Sequence, residues 1–203
     1  MKNDHFIQDY IRIKDNRIKL GEKVLFESDS KSFAAFAKAT YQHFNGKYPK
    51  FFKMDALSKL AFLAAEILLS NQKYVDENTA LVFSNRAGSL DTDRKHQETI
   101  ADANNYYPSP AVFVYTLPNI CLGEISIKHK LHSENSFFIF DHFNANHLFQ
   151  YSSGLLQANK TASVLCGWVE MDTENYDAFL YLVGENGALP HTTDAINEVY
   201  NNE

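Results

Sequence analysis

Cysteine is scarce, with only Cys121 and Cys166 in 203 residues, too few for the disulfide framework that staples small secreted folds. Long apolar runs are missing as well. The longest, Leu60 to Leu69, is interrupted by Glu66 and falls far short of the roughly 20 residues that cross a bilayer. The first residues, Met-Lys-Asn-Asp-His, lack an apolar core and a small-residue cleavage site, so the expectation is a cytoplasmic protein with free thiols. Repeats, linkers and low-complexity stretches are absent, and 45 % hydrophobic with 22 % charged residues suits one globular domain spanning 1–203. A glycine-rich phosphate loop is lacking too. Asn85 to Asp91 holds a single glycine, Gly88, and no Gly-Lys-Ser/Thr ending, and no cofactor is expected.

Basic residues stop at Lys160. Beyond it stand Glu170, Asp172, Glu174, Asp177, Glu185, Asp194, Glu198 and Glu203, which leaves residues 1–160 with 19 basic against 17 acidic groups. The acidity belongs to the C-terminal fifth, as a solubilising face. A pI near 5.7 argues against nucleic acid as a partner, because duplex binding neutralises phosphates with clustered Lys and Arg.

What is present reads as strands alternating with helices. Ile7 to Phe26 alternates apolar and polar residues around Asp15-Asn16, as a hairpin or two short strands. Ser30 caps a helix running to Phe44, and Asp55 opens a second whose apolar face, from Leu57 to Leu68, nearly closes around it. Thr79 to Ser84, Ser136 to Phe140, Ser163 to Met171 and Phe179 to Val183 read as strands. Tyr107 to Tyr115 reads as extended because of Pro108 and Pro110. Helices are predicted from Pro118 toward Leu131, from Asn144 or Asn146 to Ala158, and from Asp194 to Tyr200. Asn85 to Asp93 reads as a turn leading into an unassigned polar stretch.

Four segments, in order, resemble the N-terminal half of a β-ketoacyl-acyl-carrier-protein synthase of the thiolase-like fold. They are Lys53-Met54-Asp55 opening the buried helix, the strand and turn TALVFSNRAGSLDT, the stretch SPAVFVYTLPNICLGEISIKHKL, and NSFFIFDHFN followed by VLCGWVE. The third is similar to the family's leucine-proline-asparagine, glycine, isoleucine-serine-isoleucine helix and is the most specific. The last corresponds to the nucleophile strand and a strand ending alanine-glycine-glycine-x-glutamate. The resemblance is best over 53–183. It implies an α/β fold: a layered thiolase-like half with a mixed, mostly parallel sheet of about five strands and helices on both faces.

The departures carry the functional expectation. Family members place the active-site cysteine about 28 residues before the glutamate, here Glu170, and that position is His142. A condensing synthase needs a thiolate to hold the acyl group as a thioester. Histidine can move protons but forms no durable thioester, and the half of the fold that supplies the family's catalytic histidines and lysine is not represented. Cys121 and Cys166 fall inside a helix and a strand, as small buried residues. His142 is therefore either a remnant or an imidazole kept neutral at a helix N-terminus. Asp141 and His142 with His147, and His129 with His132, lack metal-ligand spacing, so no metal is expected.

The resemblance implies a non-catalytic, chain-length-factor-like partner of a synthase making a fatty-acid-like or polyene (polyketide) product. Two alternatives stay open. One is a stand-alone acyl-thioester enzyme with His142 as base; the other is a module binding an acyl chain or an acidic carrier protein through Lys47, Lys50, Lys53 and Lys59 or the basic N-terminal hairpin. A lone half-fold should leave an apolar helix face uncovered, and the SFFIF strand would be hazardous as a free edge. A homodimer or a heterodimer with a ketosynthase is expected.

Overall fold

The computed structural model describes residues 5–104 and 106–202. β1 (Phe6–Lys14) and β2 (Arg17–Leu20) are joined through Asp15 and Asn16, at φ 49° and 58°, a two-residue turn whose twist suits antiparallel strands. A third strand, β3 (Lys23–Glu27), continues the ribbon. α1 (Phe33–His43) has its cap two residues beyond Ser30, at Ser32, whose hydroxyl accepts from the Ala35 amide at 3.3 Å. A 3-10 turn (Pro49–Lys53) leads into α2 (Ala56–Ser70), which Asp55 caps as expected by accepting from the Ser58 amide at 2.9 Å.

β4 (Thr79–Asn85) is buried throughout. α3 (Leu90–Ile100) and α4 (Pro110–Val114) occupy segments that read as turn, polar stretch and extended chain. α3 lacks an apolar stripe, and tertiary bonds fix it: Thr92 donates to Asp55 at 2.7 Å, Asp91 accepts from the Thr173 amide at 2.9 Å, and Arg94 pairs with Asp172 at 2.7 Å. In α4 the proline occupies the first turn, where its missing N–H costs nothing. α5 (Ile120–His129), β5 (Asn135–Ile139), α6 (Ala145–Gln157), β6 (Ser163–Asp172), β7 (Asn175–Gly184), β8 (Leu189–Pro190) and α7 (Thr193–Asn201) complete the order.

All eight strands form one sheet, β3-β2-β1-β7-β6-β4-β5, with β8 beside the start of β1. The α/β class, the mixed sheet and the helices on both faces agree with the sequence reading. The count of about five strands and the mostly parallel character do not. Only β4–β5 and β4–β6 are parallel. Tight turns join β1, β2 and β3, and also β6 and β7, which forces those pairs antiparallel, whereas parallel neighbours need the helical crossovers supplied by α3 to α6.

One face of the sheet holds Leu81, Phe83, Leu165, Val169, Leu180 and their neighbours under α1, α2 and α5. The other holds Val82, Cys166, Phe179 and Tyr181 under α6 and α7. Ile7, Ile11 and Ile13 share one parity, yet Ile7 lies on the second face and the other two on the first. A register shift between Ile7 and Asp9 rotates the chain by one residue, which in a period-2 strand exchanges faces.

The expected bare helix face is not found. α2 is covered from every side, exposing only Ser70, and the outward positions of α6 and α7 are Asn146, Gln150, Gln157, Asp194, Asn197 and Glu198. Two acidic residues of the C-terminal fifth thus form the wet side of α7. Exposed apolar side chains gather elsewhere: Phe113 and Val114 on α4, Leu117 after it, Ile127 on α5 and Ile139 on β5. No helix among the described residues is long and apolar enough to cross a membrane.

Candidate functional site

Parallel strands β4, β5 and β6 end on the same side of the sheet, and there the chain turns from β5 into α6. Asp141 and His142 are exposed in that turn. Asn144 ends it, with its side-chain oxygen accepting from the His147 amide at 3.0 Å. His142 therefore stands at a strand-to-helix junction, near the positive end of α6.

The next residue, Phe143, belongs to an aromatic cluster. Phe143 stacks on Tyr200 of α7 with centroids 4.0 Å apart, and meets Phe179 edge-on at 5.7 Å and Trp168 at 6.4 Å. Tyr200 is itself sandwiched: the Arg12 guanidinium lies 4.4 Å over its other side and donates to its carbonyl at 2.7 Å. Asp177 holds that guanidinium at 2.6 Å and accepts from the Tyr200 hydroxyl at 3.3 Å. Burial, together with the Asp177 charge, pushes the Tyr200 phenol up to about 12, so it stays a neutral donor. The sequence reading missed this cluster. Its signal was available in VLCGWVE, where the family pattern has a second glycine and this chain has Trp168.

Other family positions keep structural duties. Gly167 leaves room for the Phe179 carbonyl, into which a Cβ would be driven. Glu170 accepts from the amides of Arg86 and Ala87 at 2.7 and 3.3 Å, tying the turn after β4 to the end of β6. No thiol is placed for nucleophilic work. Cys121 and Cys166 are fully buried, and burial pushes Cys166 up to about 12 and Cys121 further, so neither is a thiolate near neutral pH.

The histidine pairs do not converge. His147 sits against Phe138 and Phe140, with ring centroids 4.5 and 4.9 Å away. His129 meets Glu66 at 2.9 Å, whereas His132 borders a shallow cavity of about 430 Å³ with Glu134 and Lys160. Among the described residues no group of three or more His, Cys, Asp or Glu side chains could hold a metal.

Two basic regions flank the fold. Lys50 and Lys53 are exposed on the 3-10 turn with Phe52, itself 54 % exposed, and Lys47 is exposed two residues before the turn. Lys59 lies half-buried behind them, its pKa lowered by burial and by Lys95. Lys50 reaches the buried carboxylate of Glu124 at 2.8 Å, which also accepts from the hydroxyls of Tyr48 and Tyr115 at 3.1 and 3.0 Å, fixing the turn against α5. On the hairpin, Arg12, Lys14, Arg17 and Lys19 line a cavity of about 310 Å³. There Arg12 is engaged by Asp177 and Arg17 by Glu27 at 2.8 Å, so the hairpin is nearer to neutral than the lysine patch.

No family model and no curated protein matches this sequence. Solved structures do match its fold. The ishigamide ketosynthase/chain length factor superposes with a TM-score of 0.64 at 16 % identity, over 89 % of this chain and 62 % of that one. A chain of the ketosynthase (ApeO) in complex with its chain length factor (ApeC) from Xenorhabdus doucetiae gives 0.60 at 15 %, over 97 % and 90 %. The ketosynthase assembly AntDE:AntF, which includes a type II PKS acyl-carrier protein, gives 0.58 at 12 %, over 96 % and 64 %. The chain thus spans about three fifths of the first and third neighbours and nine tenths of the second, and its fold is similar to that of these ketosynthase and chain length factor structures.

Proposed function

We propose that this chain is a non-catalytic, chain-length-factor-like partner of a ketosynthase, acting in the cytoplasm in fatty-acid-like or polyene (polyketide) biosynthesis. The observation that carries the reading is a ketosynthase-type scaffold with an imidazole, His142, and no accessible thiol at the strand-to-helix junction where the family resemblance expects the nucleophile. The packing of Phe143, the residue after His142, against Trp168, Phe179 and Tyr200 supports it, since the chain beside the junction is held in a closed aromatic cluster. A pairing strand is available in β5, whose outer edge has no neighbour among the described strands.

The lysine patch around Phe52 favours a carrier protein as a further partner, because exposed cations around an apolar side chain suit an acidic surface with an apolar tip. Native mass spectrometry of the chain alone, and mixed in turn with each ketosynthase of its source organism, tests the reading. A heterodimer with one ketosynthase is expected, together with no condensation of malonyl and acyl carrier-protein thioesters by the chain alone. Condensation by the chain alone, or the absence of any heterodimer, overturns it. His142→Ala should leave pairing unchanged; thioester turnover by the chain that vanishes in this variant would instead identify His142 as a general base.

A further inference from the structure

One face of the hairpin carries a charge arrangement that sheets ordinarily avoid. In the β1–β2 ladder Arg12 stands directly opposite Lys19, and Lys14 directly opposite Arg17. Ile11, Ile13 and Ile18 are buried on the α1 side, so strand alternation puts all four cations on the other face, as two adjacent rows of a square. Like charges directly opposite each other destabilise a ladder. Some anion must answer them.

Neighbouring strands answer only one row. Beside Lys14 and Arg17 the next residues outward are Asp177 on β7 and Glu27 on β3, a carboxylate at each end. Beside Arg12 and Lys19 they are Phe179 and Val24, which carry no charge. Asp177 reaches across the rows to hold the Arg12 guanidinium at 2.6 and 2.8 Å, and the Tyr200 carbonyl accepts from it at 2.7 Å. Glu22, in the turn between β2 and β3, is taken by the Tyr10 hydroxyl at 2.7 Å. With Asp15 the cavity gathers three carboxylates against four cations among the described residues, and the surplus lies on the row of the half-buried Lys19.

Asn202, the residue after α7, closes the cavity of about 310 Å³ that these side chains line, a volume at the small end of ligand pockets. We infer that this cavity binds a phosphate dianion, free or as the monoester of a small molecule, seated over the square of Arg12, Lys14, Arg17 and Lys19. A tetrahedral anion offers acceptor oxygens in several directions, as donors on all sides require, whereas a carboxylate presents two in one plane. Arg12 is already oriented by Asp177 and Tyr200. Arg17 is held only by the exposed Glu27, a pair of little worth that a phosphate can replace. The proposed function is not needed for this inference, because the hairpin lies at the far end of the sheet from β5.

The test is a titration of the full chain, isotope-labelled in nitrogen, with inorganic phosphate, with glycerol phosphate and with sodium chloride at matched ionic strength, followed by NMR. Saturable shifts centred on the amides of Arg12 to Lys19 and on Asn202 are expected with both phosphates and not with chloride. Tighter binding of glycerol phosphate identifies a monoester as the ligand, and tighter binding of the bare ion identifies free phosphate. Lys19→Gln should weaken binding about tenfold, Lys19→Arg should restore it, and Lys47→Gln in the other basic region should leave it unchanged. Without phosphate, Lys19→Gln should melt no lower than the native chain, because it relieves the repulsion from Arg12. Shifts that never saturate, equal shifts with chloride, or unchanged affinity in Lys19→Gln overturn the inference. An acidic carrier protein that moves these amides when phosphate does not assigns the hairpin to a macromolecular partner, and overturns it as well.

Discussion

The two edges of this sheet are built by opposite rules. β3, at one end, carries Lys23 and Glu27 within the strand, has a register shift against β2 between Ile18 and Lys19, and ties Glu27 to Arg17 across the ladder at 2.8 Å. Charges and irregular pairing are how natural sheets keep an edge from recruiting another chain. β5, at the other end, reads Asn-Ser-Phe-Phe-Ile, pairs with β4 in unbroken register from Asn135 to Ile139, and leaves Ile139 54 % exposed. Its charges stand only outside the strand, at Glu134 and Asp141. One edge is guarded and the other is not, and the proposed function assigns the unguarded one to a partner.

The comparison breaks most sharply at Ile139. Ile139→Lys places an unpaired ammonium at the C-terminal end of any strand pairing on β5, and burying a charge without a counter-ion is among the most disruptive changes an interface can receive. Association with the proposed ketosynthase partner should weaken by about a thousandfold, equivalent to about 4 kcal/mol. The side chain is exposed in the isolated chain, so its melting temperature should stay within a degree or two. Isothermal titration and thermal melting of the same variant separate these outcomes, and unaltered affinity would show that β5 is not where partners bind.

Acid attacks the fold rather than either edge. His191 is fully buried beside α6, its ring nitrogens 3.4 and 3.5 Å from the hydroxyls of Ser152 and Ser153, and its amide donates to the His5 carbonyl at 3.0 Å. Burial, aided by His5, lowers its pKa from 6.5 to about 4. The folded state therefore binds this proton less readily than the unfolded chain. Its contribution to stability is complete above about pH 6.5, shrinks as pH falls, and is lost by about pH 4, a total of about 3 kcal/mol. Denaturant melts between pH 7 and 4 should show this slope equally in the native chain and in Ile139→Lys, because His191 lies on neither edge. His191→Gln should flatten it.

The layered α/β scaffold was legible in the sequence because its central elements carry strong local signals. α2 has a cap at Asp55 and an apolar face that nearly closes around it, β4 has an apolar run from Ala80 to Phe83, and Asn144 caps α6 where the strand-to-helix turn was placed. The parallel bias was overestimated because the pattern reveals strands but not which neighbour each finds; the antiparallel partnership of β1 with β7 joins residues far apart in sequence. α3 was illegible for a different reason. Its residues are polar on nearly every side, and what makes them helical is Asp55, Asp172 and Thr173, contributed by distant segments. At the candidate site, counting from Glu170 leads to His142, whereas the Arg12–Tyr200–Phe143 sandwich left only the departure at Trp168 as a signal, since its members are separated by most of the chain.

The smallest expected effect lies at the guarded edge and tests the comparison from its other side. In Lys23→Val with Glu27→Val, β3 loses both charges, and Arg17 loses the partner that holds it across the ladder. An exposed ion pair of this kind adds little stability, so the fold should survive. The altered edge would read Val-Val-Leu-Phe-Val, an apolar row with unpaired amides and carbonyls, comparable in character to β5. Weak self-association should follow, visible by sedimentation velocity only at high protein concentration. It should stay far weaker than pairing on β5, because the register shift between Ile18 and Lys19 keeps the β2–β3 ladder irregular. If the variant sediments as a monomer at every concentration, that irregularity alone guards the edge and the charges are dispensable. If the native chain already associates through β3, the distinction between the two edges fails.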